Sequence, residues 1–126
     1  MAGRRILLVS ARPDARADLV AALRSNSFRV DIEAPSAQLA DEDVYDRDPP
    51  PDLVLLDTTG VPGDVAWSLA AVLSSGRLIV LVDGAGHVRR AFEAGAEDCV
   101  NAGAHPDEVG ARIEAVLRRT DRVPAA

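Results

Sequence analysis

Five short aliphatic runs, each followed by a segment of helical spacing, govern what this chain can fold into. Ile6-Leu7-Leu8-Val9, ending at Ser10, is apolar at every position, the mark of a strand covered on both faces. Leu53-Val54-Leu55-Leu56, ending at Asp57, and Leu78-Ile79-Val80-Leu81-Val82 repeat the pattern. Phe28, Val30 and Ile32 alternate with Arg29, Asp31 and Glu33, which gives a strand one wetter face, and Cys99-Val100 belongs to a short fifth strand. Between the runs, apolar residues recur at steps of three and four: Leu19, Ala22 and Leu23; Ala66, Leu69, Ala70 and Leu73; Val88 and Phe92; Val109, Ile113, Val116 and Leu117. Pro13-Asp14 and Pro106-Asp107-Glu108 open helices, because proline has no amide to leave unpaired and acids suit the first turn. Gly76 and Gly95 close them, and Arg118 and Arg119 complement the last turn's dipole.

The stretch from Pro35 to Pro51 is the least regular. Ser36 caps a short helix carrying Leu39 and Val44, Asp41-Glu42-Asp43 and Asp46-Arg47-Asp48 read as a solvated face in preference to a cation site, and Pro49-Pro50-Pro51 ends it.

Strands alternating with helices predict a doubly wound α/β domain, a parallel sheet with helices on both faces. In such folds the functional crevice lies at the carboxyl ends of the strands. Those ends carry Ser10 to Arg12, Asp57 to Thr59, Val82 to Asp83, and Asn101 to Gly103.

Composition narrows the function. A chain of 126 residues is one domain's worth, and no stretch is long and apolar enough to cross a bilayer. Cys99 is the single cysteine, so no intrachain disulfide forms. A formal charge of −6 repels phosphate backbones, so this domain is not expected to bind nucleic acid or a membrane. All fourteen basic residues are arginine. The expectation is a cytoplasmic protein with a domain over residues 1–119 and a tail or linker over 120–126.

Read in order, three stretches resemble the receiver domain of bacterial response regulators. Pro51-Asp52-Leu53-Val54-Leu55-Leu56-Asp57 resembles that family's third strand and its phosphoacceptor aspartate. Ala91-Phe92-Glu93-Ala94-Gly95-Ala96-Glu97-Asp98 resembles its "LEAGADD" segment. Pro106 through Arg119 resembles its last helix, in the style of winged-helix transcription factors of the OmpR/PhoB type. The resemblance spans about residues 4 to 119. It implies a flavodoxin-like (βα)5 fold with strand order 2-1-3-4-5.

The resemblance also implies a phosphorylation pocket, which this sequence lacks apart from Asp57. The family's Mg²⁺-binding acid pair falls on Ser10 and Ala11, its phosphoryl-contacting Thr or Ser on Val82, its lysine on Ala102 and the following proline on Gly103. Pro62 comes one residue later than in the family, and the segment from Val82 to Gly95 is about two residues short. Placing a phosphoryl group on a carboxylate crowds negative oxygens, and unit charges about 4 Å apart interact by roughly 4 kcal/mol at an effective dielectric near 20. A cation must relieve that. Ser10-Ala11 offers Mg²⁺ one neutral hydroxyl, and no lysine exists to help. Phosphotransfer is therefore not expected, and neither is a cofactor.

Two readings of Asp57 remain open: a solvated remnant at a strand end, or a carboxylate paired with Arg12 folded over the pocket. Asp83 and Asp14 lie near enough in the topology to join Asp57 in a weak metal site, a third and lesser option. His87, His105 and Cys99 show no nucleophile pattern; His105 reads as a helix-capping neighbour and Cys99 as a small apolar residue. Gly84-Ala85-Gly86 has neither the spacing nor the place of a dinucleotide fingerprint. Trp67 falls outside its helix's apolar stripe and so marks a partly exposed contact surface.

The function expected is that of an atypical, non-enzymatic receiver acting through protein contacts. Its dimer face, implied by the resemblance, carries Arg89, Arg90, Glu97, Asp98, Arg112, Glu114 and Arg118. A DNA-binding domain, if present, lies outside this chain. The alternatives are a small-ligand-sensing domain using the same crevice, and a receiver still weakly phosphorylated at Asp57.

Overall fold

A computed structural model describes residues 3–121, apart from the side chain of Ala85. Ten regular elements alternate: β1 (Arg5–Val9), α1 (Ala17–Ser25), β2 (Arg29–Glu33), α2 (Ala37–Asp41), β3 (Leu53–Asp57), α3 (Gly63–Leu73), β4 (Leu78–Val82), α4 (Val88–Glu93), β5 (Asp98–Asn101) and α5 (Pro106–Asp121). Short 3₁₀ turns at Pro13–Arg16, Val44–Asp46 and Ala85–His87 lead into or connect them. The strands form one parallel sheet in the order 2-1-3-4-5.

Strand alternation splits the core in two. Ile6, Leu8, Leu53, Leu55, Ile79, Leu81 and Val100 pack beneath α1 and α5. Their neighbours Leu7, Val9, Val54, Leu56, Leu78, Val80 and Val82 pack beneath α2, α3 and α4. The three central strands are buried on both faces, which is why their sequences are uninterrupted aliphatic runs. The alternation has a consequence at the strand ends. Ser10, Asp57 and Ala102 fall in step with the α1/α5 layer, whereas Val82 falls in the other.

Ser36 caps α2 as expected, its Oγ accepting from the Leu39 amide at 3.3 Å, and Leu39 and Val44 are buried. Three expectations change. Val88 and Phe92 do share a face of α4, but that face turns to solvent, with Phe92 48 % exposed; Ala91 is the residue packed inward. Ile32, at the open end of the edge strand β2, is exposed as well. The last helix runs past Arg119, because Arg77 donates to the Thr120 hydroxyl at 2.6 Å and pairs with Asp121 at 2.5 Å, while Arg4 also pairs with Asp121. Residues 122–126 of the expected tail lie outside the described residues.

Candidate functional site: a sealed carboxylate at the sheet's carboxyl end

Asp57 is the last residue of β3 and, with Ser10, one of two buried polar side chains among the described residues. Because Asp57 keeps step with Leu53 and Leu55, its carboxylate points toward the start of α1. Arg16, closing the 3₁₀ turn opened by Pro13, reaches back over it. Arg16 Nε donates to Asp57 Oδ2 at 2.8 Å, Nη1 to the Ala102 carbonyl at 2.9 Å, and Nη2 to Thr59 Oγ1 at 3.3 Å. Ser10 Oγ donates a second hydrogen bond to Oδ2 at 2.9 Å, and the Thr59 amide donates to Oδ1 at 3.0 Å. Thr58 Oγ1 donates to the Leu81 carbonyl at 2.7 Å, holding the loop against β4.

Burial alone would push the Asp57 carboxyl up. The hydrogen bonds from Arg16, Thr59 and Ser10 outweigh that and hold its pKa below the usual carboxylate value. The carboxylate is therefore ionised, paired and sealed from water. One guanidinium ties together β3, the loop after it and the loop after β5.

Both expected readings of Asp57 are corrected. It is fully buried, not solvated, and its partner is Arg16, not Arg12. Arg12 is exposed: its amide donates to Ser10 Oγ at 3.0 Å, and its side chain lies over Gly60. Gly60 has φ +76°, and a Cβ there would come 2.8 Å from Arg12 Nε. Among the described residues no three His, Cys, Asp or Glu side chains cluster as metal ligands, so Asp14, Asp57 and Asp83 do not assemble a site.

Ser10 and the carbonyl of Ala102 reach the pocket, while Ala11 is exposed. Val82 does not reach it. It is buried on the α2–α4 side, and Asp83, the next residue, is exposed. Strand parity, counted from Leu81, was the signal for this shift.

The expected dimer face is only partly brought together. Arg112 pairs with Asp98 at 3.1 Å and Glu108 at 3.5 Å, and Arg119 pairs with Glu97 at 3.4 Å. Glu114 and Arg118 sit on the other flank of α5, beside Arg4 and Phe28. Arg90 turns to α3, its guanidinium 5.5 Å from the Trp67 ring, which His87 also approaches at 6.0 Å. Arg89 stays exposed on α4. Cys99 is half-buried, and burial, reinforced by the Asp98 carboxylate, raises its thiol pKa. His105 Nδ1 accepts from the Asp107 amide at 3.1 Å at the start of α5.

No model of a known protein family matches the chain. It is 33 % identical, over 95 % of its length, to the phosphate regulon transcriptional regulatory protein PhoB of Pseudomonas aeruginosa, and spans 54 % of that protein. The BeF₃-activated receiver domain of RstA from Klebsiella pneumoniae superimposes with a TM-score of 0.74 at 29 % identity, covering 91 % of this chain and 99 % of that one. The chain is a response-regulator receiver domain. An orphan response regulator of H. pylori shares the fold, with a TM-score of 0.71 at 23 % identity over 93 % of this chain and 98 % of the other. In this receiver the buried carboxylate that ends β3, Asp57, is the one Arg16 covers. The chain spans about half the length of the curated relative it matches.

Proposed function

We propose that this receiver acts in two-component signalling by protein–protein contact, without phosphorylation at Asp57 and without catalysis of its own. The observation that carries this reading is the Arg16 guanidinium seated on a fully buried Asp57. A phosphoryl donor must reach a carboxylate oxygen in line, with a cation poised beside it. Here Oδ2 already accepts from Arg16 and Ser10, and Oδ1 from the Thr59 amide.

The residues present do not fit Mg²⁺. A guanidinium already neutralises the one buried carboxylate, Ser10 is neutral, and Ala11 brings no donor. A cation entering here would meet a positive charge rather than the oxygen cage it needs. An exposed Asp83 past β4 adds repulsion toward a phosphoryl group.

For the contact itself we place a homodimer face on α4, β5 and the near flank of α5. Val88, Phe92 and Arg89 are exposed there beside the internal pairs Asp98–Arg112 and Glu97–Arg119. Glu114 and Arg118 fall outside this narrower face. PhoB is named a transcriptional regulatory protein and is about twice as long as the matched region. By that likeness the output is transcriptional, through a DNA-binding domain separate from this acidic one. The absence of any bilayer-length apolar helix among the described residues fits a receiver working in the cytoplasm.

Incubation with acetyl phosphate and Mg²⁺, read by intact mass, tests the reading. No phosphoryl adduct is expected, and sedimentation should give the same association state with and without BeF₃⁻. A phosphoryl group mapped to Asp57 in the native chain would overturn it.

A further inference from the structure

Away from the sealed carboxylate, an apolar furrow between α2 and α3 is uncovered. Helix α2 is only five residues long, and after Asp41 the chain turns away into the 3₁₀ turn at Val44–Asp46. The outer face of α3 is left bare, with Val65 40 % and Val72 39 % exposed. Two cavities flank α2 along this face. One, of about 440 Å³, is lined by Ala37, Ala40, Val65 and Leu69 among others; the second, of about 240 Å³, includes Val72, Leu73 and Tyr45. Val65 and Val72 are seven residues apart on one helix, so the floor runs for about 10 Å at 1.5 Å per residue.

The charge on the rim is one-sided. Asp64 borders the first cavity, and Asp41, Glu42 and Asp43 border the second, with no arginine or histidine lining either. The three other surface cavities described each include arginine. Arg47 is shared between Glu42 and Glu33, and among the described residues Asp41, Asp43 and Asp64 take part in no salt bridge.

We propose that this furrow docks an amphipathic helix of a partner protein, with branched aliphatic anchors on one face and lysine or arginine along both flanks. A floor of two helical turns takes anchors spaced i, i+3 or i+4, and i+7. The carboxylate rim steers the basic flanks and sets orientation. The same rim repels nucleic acid and anionic lipid, so neither suits the furrow. The surface is separate from the α4–β5–α5 face and does not depend on the state of Asp57.

The test uses two synthetic amphipathic helices about four turns long, one leucine–lysine and one leucine–glutamate, titrated into the ¹⁵N-labelled chain. The lysine helix should saturate at one per chain and perturb amides of α2, α3 and residues 41–45, while the glutamate helix should not bind. Val65→Ser with Val72→Ser, both at exposed positions and checked by thermal melting, should weaken binding roughly tenfold by removing the anchors' floor. Asp41→Asn, Asp43→Asn and Asp64→Asn together should do the same and flatten its salt dependence. No binding, equal binding of both helices, or shifts confined to α4, β5 and α5 would overturn the proposal. So would self-association of the chain that the two valine substitutions abolish, since a second copy would then fill the furrow.

Discussion

Arg16 and Asp57 are an ion pair with one partner fully buried, and such pairs behave asymmetrically under mutation. Removing both charges is often nearly neutral, whereas removing one strands the other in a low dielectric. Arg16→Ala should therefore cost about 3 kcal/mol, leaving Asp57 covered only by Ser10 and the Thr59 amide. Arg12→Ala, at an exposed side chain, should stay within about 0.5 kcal/mol. In a double-mutant cycle by urea melts, Arg16→Ala and Asp57→Asn should couple strongly, and Arg12→Ala and Asp57→Asn should add. The reverse pattern would return the seal to Arg12. Because the folded Asp57 has a lowered pKa, its contribution is present above the unfolded value of about 3.9 and is lost as pH falls through the folded one. Stability of the native chain should thus decline more steeply below about pH 4 than that of Asp57→Asn. Parallel acid limbs in chemical melts at several pH values would exclude this. At this scale the sequence revealed a carboxylate without its usual company, but not what replaced it. The missing step was geometric: alternation from Leu53 sends Asp57 toward α1, where Arg16, one turn past Pro13, is the arginine in reach.

At the scale of elements the spacing of apolar residues predicts the helices well and their outward faces less well. In α5, Val109, Ile113, Val116 and Leu117 all pack inward, and the buried stripe is the one expected. In α4, six residues long, Ala91 makes the inward contact and the larger Val88 and Phe92 look out. Hydrophobicity alone does not reveal that a short helix rests its small side on the sheet. Ile113→Ala should cost about 2–5 kcal/mol through the cavity it leaves. Phe92→Ser, half exposed, should cost under about 1 kcal/mol. Equal losses in thermal melts would mean that α4 packs the other way round. A second element-level constraint joins the turn after α2 to the turn after α3. The Tyr45 hydroxyl donates to the Leu73 carbonyl at 2.6 Å, and its ring lies where a Cβ on Gly76 would collide with it. Burial raises the Tyr45 pKa, with the Asp43 carboxylate adding to it, so the phenol stays a donor across the working pH range. Gly76→Ala should cost about 1–3 kcal/mol, and Tyr45→Ala should relieve most of that added cost. Gly76 read simply as a helix stop gave no hint of the ring lying against it.

Across the whole molecule α5 is fastened at both ends, and the two fastenings differ in kind. Near its start, the loop after β5 is held by Arg16, whose guanidinium bonds the Ala102 carbonyl while neutralising Asp57. At its far end, Arg77 grips Thr120 and Asp121, and Arg4 joins Asp121 to Asp52 at the foot of the sheet. The first is buried and expensive to break; the second is partly exposed, and its ion pairs are worth little singly. Resemblance to the receiver family ends near Arg119, and local propensity says nothing about contacts back to Arg4 and Arg77, so the far fastening could not be read from the sequence. Ending the chain after Arg119 should cost about 1–2 kcal/mol, the combined loss of the Thr120 hydrogen bond and the Asp121 pairs. In that shortened chain Arg77→Ala should cost less than in the full chain, because of its partners only the Asp52 carbonyl, 3.3 Å from Nη1, remains. Amide exchange should quicken in the last two turns of α5 and stay unchanged around Ala102. If truncation instead loosened both ends of α5 together, the buried seal and the exposed clasp would be one cooperative unit, and Arg16 would not act independently of the Arg77–Asp121 clasp.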